Sequence, residues 1–465
     1  MNKYSSIYRC IEQNKEHLLK ILKIVNCNKL PLWLRYIYAN RALRFATYCH
    51  TGYFYLNSLE KFFVYIAQKY NIKNYNVKHK PKTVLHVLTK AYNSGGHTRV
   101  VERWIDNTKD LYQNSVVLLK QGKDAIPQLL LDNAKASNGD IFIFPKYLTK
   151  IQRALKLREI ALNYEYIVLH THMPDPIATI AFGTEKFPRP VLFFNHADHM
   201  FWIGKTISDV VLDIRTYKSI SKSYRNIKNT KFCPIPCDFS RNTYISREEA
   251  RNILNLDQNQ KYIMTSGSSF KYKPVCGDGI FDTIIDILDA NKNLNLIVIG
   301  ADNENWSKIH SLFSSRVFLN SVMPYENYLK YVSAVDVILD SYPMNGEATL
   351  IDAMKAQTPF ISLDTICSGQ SDFVIKSKGY CRTKEEVVKK IHDIFNSREA
   401  RKSLLEDELF YFEKEYSIEN WTKNILNIYA DLPHRHMLNQ ISDEEAPCFI
   451  DDYGAILECL YKEGC

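Results

Sequence analysis

The hydrophobic pattern divides the chain into a helical start and a long stretch of alternating strands and helices. Over residues 1–80, Leu, Ile, Phe and Tyr recur at helical spacing with Lys and Arg between them, as in HLLKILKIV and LEKFFVYIAQKY. This spacing is typical of amphipathic helices. We predict a small helical N-terminal segment. Packing on the next domain is its simplest role, and its basic, aromatic character also allows contact with an acceptor or a membrane surface.

Short, continuously apolar runs separated by helical stretches begin near residue 82. We predict strands at 83–89, 115–120, 140–145, 166–172, 190–197 and 209–214. Runs of this kind are buried on both faces, as in a parallel sheet covered by helices. Residues 81–235 are therefore predicted to form a Rossmann-like domain, which we expect to bind the acceptor.

A second series of apolar runs follows a proline-containing segment, KFCPIPCDFSRNTYI, which has no helical period and is typical of a linker. We predict strands at 262–267, 294–300, 316–321, 336–340 and 359–363, within a second Rossmann-like domain over 246–431. Residues 432–465 are predicted to be a C-terminal extension. Two doubly wound α/β domains in tandem are expected to face a cleft at the carboxyl ends of their strands, where such sheets bind ligands.

The composition is that of an ordinary globular protein, with 46% hydrophobic and 24% charged residues. A net charge of +9 suits an anionic small molecule or an anionic membrane surface and is too weak to indicate nucleic acid. The 11 cysteines show no zinc-ligand spacing and no disulfide pattern. Because no signal peptide or membrane-spanning run is visible, we expect a cytoplasmic protein, with peripheral contact to the inner face of the membrane allowed.

The segment DVILDSYPMNGEATLIDAM, residues 336–354, carries the strongest chemical signal. A buried strand ends at Asp340, a turn follows, and a helix is predicted to begin near Glu347. The free amides and positive end of such a helix suit a diphosphate, and Asp352 could accept hydrogen bonds from ribose hydroxyls. An ordinary strand–turn–helix with a solvated aspartate is the alternative.

This segment, together with RVFLNSVMPYENYLKYVSAV before it, resembles the donor-binding region of O-GlcNAc transferase and its bacterial relatives, which have the GT-B fold. The resemblance covers about 100 C-terminal residues and implies a nucleotide-sugar donor. It places the uracil base of the donor at Met323 and Tyr325, the nucleoside beside Tyr328, and the ribose at Asp352. It places the diphosphate at Asn345, Gly346, Ala348 and Thr349.

The resemblance extends to TSGSSFKYKP, residues 265–274, which adds Ser268 to the donor site. The family has a phosphate-binding lysine here, and Lys273 takes that position, with Lys271 as a close alternative. A fixed cation would stabilise the charge that grows on a leaving diphosphate. Since no Asp-x-Asp motif is present, we expect a metal-independent enzyme. The sequence departs from the family at Glu347 and Ala348, where histidine and threonine are usual.

Polar clusters follow three strands of the first domain. The loop NSGGHTRVV contains Gly96, which would let the backbone approach a sugar or phosphate, and His97. HTHMPDP and NHADHMFWIG follow two later strands. We predict His196 as the general base, with His97 as the second candidate and Asp198 as an orienting carboxylate. Metal binding by these histidines and a purely structural role are the alternatives.

Together these features predict a GT-B glycosyltransferase that needs no cofactor. The resemblance to the O-GlcNAc transferases implies a UDP-sugar, UDP-GlcNAc or UDP-glucose, as co-substrate. The expected acceptor is a glycan such as a bacterial surface glycan, a lipid-linked sugar or a protein, and no nucleic acid is expected as a partner. An inverting displacement would use the histidine base, and retention stays open. The alternative is a non-catalytic nucleotide-sugar-binding scaffold, because Glu347 is poorly suited to face a diphosphate.

Overall fold

The computed structural model describes residues 5–70, 78–93, 96–184, 187–216, 220–237, 244–275, 277–300, 304–365, 370–433, 436, 438–442 and 444–448. The chain forms two compact units. The N-terminal unit contains Ser5–Pro236 and the described residues from Ile418 onward. The C-terminal unit contains Cys237–Ser417.

The N-terminal unit begins with three helices and continues as alternating strands and helices. Its helices before residue 237 are α1 (Ser5–Val25), α2 (Leu32–Tyr48), α3 (Asn57–Lys69), α4 (Gly96–Thr108), α5 (Gln128–Ala136), α6 (Lys150–Ala161), α7 (Ile177–Phe182) and α8 (Ile220–Ser223). Its strands are β1 (Thr83–Leu88), β2 (Gln113–Leu118), β3 (Ile141–Ile143), β4 (Tyr166–His170), β5 (Val191–Asn195), β6 (Val210–Asp213) and β7 (Thr230–Phe232).

The C-terminal unit repeats this alternation. Its helices are α9 (Arg247–Ile253), α10 (Phe281–Ala290), α11 (Glu304–Leu312), α12 (Tyr325–Ala334), α13 (Glu347–Lys355), α14 (Asp372–Lys376), α15 (Lys384–Asn396) and α16 (Arg398–Tyr416), with a short 3-10 helix over Ser269–Tyr272. Its strands are β8 (Lys261–Ser266), β9 (Leu294–Ile299), β10 (Val317–Asn320), β11 (Val337–Leu339), β12 (Phe360–Leu363) and β13 (Tyr380–Cys381).

Each unit is built on one parallel sheet. The order is β3-β2-β1-β4-β5-β6-β7 in the N-terminal unit and β10-β9-β8-β11-β12-β13 in the C-terminal unit. The eleven strands predicted from apolar runs are all present, within a few residues of their expected ends. The two missed strands, β7 and β13, are short edge strands of three and two residues, so they have no apolar run to detect.

The helical segment belongs to the N-terminal unit. Leu43 of α2 and Phe63 and Ile66 of α3 share one buried cluster with Leu85 of β1 and Leu169 of β4. The simplest expectation for residues 1–80, packing against the next domain, is therefore correct for the described helices. No helix in the described ranges has the length and apolar character to cross a bilayer.

The chain returns to the N-terminal unit after residue 417, which differs from the predicted domain end at 431. α17 (Ile418–Ala430) packs there because its Trp421 lies edge-on to Trp104 of α4, with ring centroids 5.2 Å apart. The indole nitrogen of Trp421 also donates to the carbonyl of Pro234 at 2.9 Å. The extension continues on the same unit, where Glu445 accepts hydrogen bonds from the amides of Asn57 and Ser58 at the start of α3.

Candidate functional site

The carboxyl ends of β8 and β11 lie side by side where the strand order of the C-terminal unit changes direction. β9 and β10 continue the sheet beyond β8, and β12 and β13 continue it beyond β11. In open parallel sheets, ligands bind outside the strand ends at such a point. The loops that follow these two strands meet here, because the amide of Met344 donates to the carbonyl of Lys271 at 3.3 Å.

A buried carboxylate organises the loop between β11 and α13. Oδ1 of Asp340 accepts hydrogen bonds of 2.8 Å from the amides of Ser341 and Gly346. Oδ2 accepts one of 2.7 Å from the hydroxyl of Ser362. A Cβ added to Gly346 would lie 3.2 Å from both Asp340 Oδ1 and the Thr349 hydroxyl, so glycine keeps this turn compact. These contacts give the loop a defined shape.

α13 begins directly after this loop with the features of an anion site. The first amides of a helix have no intrahelical acceptor and lie at its positive end. Ala348 is exposed in this first turn, and the Thr349 hydroxyl lies 3.4 Å from the Ser266 hydroxyl at the end of β8. Backbone donors and hydroxyl groups thus converge where the sequence predicts the diphosphate.

Glu347 is the residue that departs most from an anion site. The hydroxyl of Tyr416 donates a hydrogen bond of 3.0 Å to its Oε1. Burial, and then the charge of Glu347, raises the pKa of the Tyr416 phenol well above its ordinary value, so the phenol stays a donor. The carboxylate is thus bound within the C-terminal unit instead of being left to oppose a diphosphate.

Asp352 lies one and a half turns into α13 and is buried. Its Oδ1 accepts hydrogen bonds from two phenols, that of Tyr325 at 2.6 Å and that of Tyr244 at 3.0 Å. Tyr325 begins α12 and lies against Tyr328, with ring centroids 6.0 Å apart. The structure therefore brings together Asp352, Tyr325 and Tyr328, which the resemblance assigned to the ribose and nucleoside. Tyr244 was not predicted as a site residue, because it lies in the segment interpreted as a linker.

The two candidate lysines lie in different surroundings. Lys271 is in the 3-10 helix, and its ammonium donates a hydrogen bond of 3.1 Å to the carbonyl of Asn345 in the β11–α13 loop. Burial lowers the pKa of Lys271, and the carboxylate of Asp340 opposes this shift. Lys273, which the resemblance favoured, is exposed and ends the same 3-10 helix. Lys271 is therefore the lysine that touches the predicted diphosphate loop.

The other predicted donor residues lie in loops and at a helix start of both units. Ser268 precedes the 3-10 helix and is exposed, and its carbonyl accepts from the amide of Lys271 at 2.9 Å. Met323 lies half-buried in the short connection between β10 and α12. Gly96 begins α4 in the other unit, at the carboxyl end of β1. The residues 94 and 95 of its predicted loop lie outside the described ranges.

A row of hydrogen-bonded side chains crosses the sheet of the N-terminal unit. Asn114 Oδ1 lies 3.2 Å from His86 Nε2. The row continues from His86 Nδ1 to His170 Nε2 at 3.2 Å, and from His170 Nδ1 to His196 Nε2 at 3.1 Å. The register of β1 and β4 sets Leu88 beside His170. His86 is two residues before Leu88 and, because alternate residues of a strand share a face, it lies on the same face of the sheet as Leu88.

Burial keeps this row uncharged. It lowers the pKa of His86 to about 4. Burial, with neighbouring histidines adding to the effect, lowers the pKa values of His170 and His196 well below the ordinary histidine value. At neutral pH these imidazoles are neutral, which is the form a general base requires.

His97 lies over the end of this row. Its ring stacks on that of His196, with centroids 3.9 Å apart and an interplanar angle of 17°. Burial, with the charge of His172 second, lowers the pKa of His97 to about 4. A cavity of about 220 Å³ opens beside it, lined in part by His97, His172, Tyr48 and Tyr92. His97 thus lines the cavity together with Gly96, whereas His196 contacts His97 but is not part of the cavity lining.

Asp198 has a different partner from the one expected. Its Oδ2 accepts a hydrogen bond of 2.7 Å from Arg215 Nε, and His199 Nδ1 lies 3.6 Å from its Oδ1. Burial alone would raise the pKa of Asp198, but the charge of Arg215, with His199, lowers it well below the ordinary value. His196 is held by His170 instead, so a histidine and not a carboxylate orients it.

Metal binding was the competing interpretation of the histidine clusters. Across the described ranges, no three His, Cys, Asp or Glu side chains are arranged to hold a metal ion. The nitrogens that join His86, His170 and His196 are engaged with one another. The contact between His86 and His170 was not predicted from the sequence. His86 lies inside the apolar run TVLHVLT, where its position in the strand alternation was the only indication of the face on which it lies.

The fold resembles several solved glycosyltransferases. HepE of Anabaena in complex with UDP and glucose matches with a TM-score of 0.53 and 14% identity, over 75% of this chain and 99% of that one. A mutant O-GlcNAc transferase of Thermobaculum terrenum matches with 0.56 and 13%, over 90% of this chain and 81% of that one. A glycosyltransferase of Rickettsia africae matches with 0.57 and 13%, over 76% and 99%. No protein-family model and no curated protein matches the sequence.

Two Rossmann-like units with these strand orders define a two-domain, doubly wound α/β protein. More particularly, the chain has the GT-B fold, and the solved structures it resembles are GT-B glycosyltransferases, an O-GlcNAc transferase among them. The predicted fold class is therefore confirmed.

Proposed function

We propose that this protein is a glycosyltransferase that moves a sugar from a UDP-sugar, UDP-GlcNAc or UDP-glucose, to a hydroxyl of a glycan, lipid-linked or protein acceptor. The observation that carries the proposal is the cluster at the carboxyl ends of β8 and β11. There, one short loop and one helix start bring together the buried carboxylate of Asp352, the ammonium of Lys271 and the backbone amides at the start of α13. These groups match a ribose and a diphosphate.

Each part of the donor has a matching group. Asp352 would accept from the ribose hydroxyls, sharing or replacing its bonds to Tyr325 and Tyr244. The amides at the start of α13 and the ammonium of Lys271 would bind the diphosphate oxygens. The rings of Tyr325 and Tyr328 would line the nucleoside. HepE, one of the similar structures, holds UDP and glucose, which supports a nucleotide sugar as the donor.

The N-terminal unit would bind the acceptor in the cavity that His97 lines, and the His97 ring stacks on that of His196. An acceptor hydroxyl forms a bond to the sugar C1, the bond from C1 to the phosphate oxygen breaks, and UDP leaves with that electron pair. The hydroxyl proton passes to His196. The growing negative charge on UDP meets Lys271 and the positive end of α13, so a divalent cation is not required for this step.

A thermal-shift screen against UDP, UDP-GlcNAc, UDP-glucose and GDP-mannose tests the donor. A ligand present at 100 times its Kd stabilises by about 2.7 kcal/mol, so a specific uridine donor should raise the Tm while GDP-mannose does not. Asp352→Asn, which alters the proposed ribose-binding residue, should reduce the shift. No stabilisation by any uridine nucleotide would overturn the donor assignment.

A non-catalytic nucleotide-sugar scaffold is the second candidate, and Glu347 at the start of α13 is the feature that favours it. The bond from Tyr416 to Glu347 weakens that argument, because the carboxylate already has a partner. Turnover of radiolabelled UDP-sugar, including slow hydrolysis, separates the two. Tight binding with no release of labelled sugar would support the scaffold.

A further inference from the structure

The hydrogen-bonded row that begins at Asn114 determines which ring nitrogen of His196, the proposed general base, carries no proton. The amide of Asn114 has a defined orientation, because its Nδ2 donates to the carbonyl of Tyr112 at 2.9 Å. Its Oδ1, which can only accept, therefore faces His86 Nε2. His86 must carry its proton on Nε2 to make this bond.

A neutral imidazole has one donor nitrogen and one acceptor nitrogen, so the first ring sets the next. With its Nε2 protonated, His86 accepts at Nδ1 a hydrogen bond from the Nε2–H group of His170. His170 Nδ1 then accepts from His196 Nε2. The opposite order would direct the lone pair of His86 Nε2 at the Asn114 carbonyl oxygen, and turning the amide over would bring two oxygens together at Tyr112.

We propose that Asn114, His86 and His170 are positioning residues that set the tautomer of His196, leaving Nδ1 as the unprotonated nitrogen that receives the acceptor proton. This inference rests on the proposed function only in its last clause, since the tautomer itself is a property of the free protein. Stacking of His97 on the His196 ring at 3.9 Å helps to hold the orientation. When Nδ1 takes a proton, the Nε2–H bond to His170 stabilises the resulting imidazolium.

Nitrogen NMR of the complete protein labelled with ¹⁵N-histidine tests the tautomer directly, because protonated and bare ring nitrogens have well-separated shifts. Solid-state spectra avoid the size limit, and the His196→Gln variant identifies the His196 signals. We expect His196 to be protonated at Nε2 and bare at Nδ1 near pH 7. A proton on Nδ1 in the unmodified protein overturns the proposal, and this result requires no variant to fold.

Two substitutions at one position then test the cause. Asn114→Leu removes the anchoring acceptor and should give a mixture of His196 tautomers. Asn114→Asp retains an acceptor towards His86 and, as the neutral acid, a donor towards the Tyr112 carbonyl, so it should keep the original tautomer. Asn133→Leu is the matched control, because it removes a buried asparagine of the same unit whose amide donates to the carbonyl of Glu102 instead. A single unchanged tautomer in Asn114→Leu would overturn the role of Asn114.

Turnover measured on the same samples should fall in proportion to the fraction of His196 that keeps a bare Nδ1. A half-and-half mixture would therefore lower kcat about twofold with little change in KM. Because loss of folded protein would also lower the apparent kcat, the rate of each variant is divided by its folded fraction, measured by circular dichroism. If the tautomer is as expected but His196→Gln turns over normally, the positioning row stands and the proposed base does not.

Discussion

The hydroxyl of Tyr325 donates a hydrogen bond of 2.6 Å to Oδ1 of Asp352, joining the first residue of α12 to the middle of α13. The two helices follow neighbouring strands in sequence, β10 and β11, that are not neighbours in the sheet. This bond thus connects Tyr325, which the resemblance assigned to the uracil base, with Asp352, which it assigned to the ribose.

Asp352→Asn should weaken UDP binding by about 1 to 3 kcal/mol, the range for a hydrogen bond to a charged group. Calorimetry measures the change. Glu326→Gln is the control, since Glu326 is exposed on the first turn of α12, and it should leave the affinity within about twofold. Equal effects of the two substitutions would remove Asp352 from the donor site.

Lys271→Met should lower turnover more than it lowers UDP-sugar binding, because the phosphate charge that it meets grows in the transition state. Lys273→Met is the matched control, being two residues away and exposed. Steady-state kinetics with both variants decides between the lysines. A selective loss in Lys273→Met would instead restore the role that family resemblance gave to Lys273.

Activity should survive an excess of EDTA. The physical reason is that Lys271 and the start of α13 can together offset the charge of the leaving diphosphate. Initial rates with and without the chelator provide the measurement. Complete loss that manganese or zinc restores would contradict the expectation and would make the histidine clusters the first place to look for ligands.

His196→Ala should reduce turnover at least about a hundredfold while UDP affinity stays within about twofold, as expected for loss of a general base. His97→Ala provides the comparison, because its ring stacks on His196. If His97→Ala loses turnover and His196→Ala keeps it, the role passes to His97. If neither matters, a retaining mechanism without a histidine base becomes the better account.

Acid should destabilise the protein through the histidine row. The pKa of His86 is about 4 in the folded protein, whereas an unfolded histidine titrates near 6.5. Between these values the unfolded chain binds a proton that the folded chain does not, so stability falls as pH falls. By pH 4 the loss from His86 is on the order of 3 kcal/mol.

Melting temperatures from pH 7 to 4.5 check this slope. The fall should be shallower in His86→Leu, which cannot take up that proton in either state. His392→Leu is the control, because His392 is an exposed histidine on α15, and it should keep the slope of the unmodified protein. An unchanged slope in His86→Leu would contradict the assigned pKa.

Sequence reasoning found the fold because the information lies in local patterns. Each apolar run that forms β1 or β9 is a continuous six-residue segment, so it can be recognised without knowing its partners in the sheet. The turn after β11 lies a few residues before Asp352 in the chain. The site was predicted where its residues are close in the chain. Tyr244, by contrast, reaches Asp352 from 108 positions away, and no spacing rule links them.

The same limit explains the choice between lysines and the partner of His196. Lys271 and Lys273 both follow an aromatic residue, and only the path of the 3-10 helix determines which one contacts Asn345. Asp198 is two residues from His196 in sequence, yet Arg215 binds it. Residues adjacent in a loop can point apart, whereas His170, from another strand, reaches His196 through the sheet.

The return of α17 to the first unit has a consequence for how the chain is made. A ribosome releases the protein from its amino end, and domains commonly fold in that order during synthesis. Here the core around Trp104 lacks Trp421, Ile425 and Ile428 until the entire C-terminal unit has emerged. The first unit to leave the ribosome is thus the last to be completed, and an early stop after α16 would leave the face of α4 uncovered.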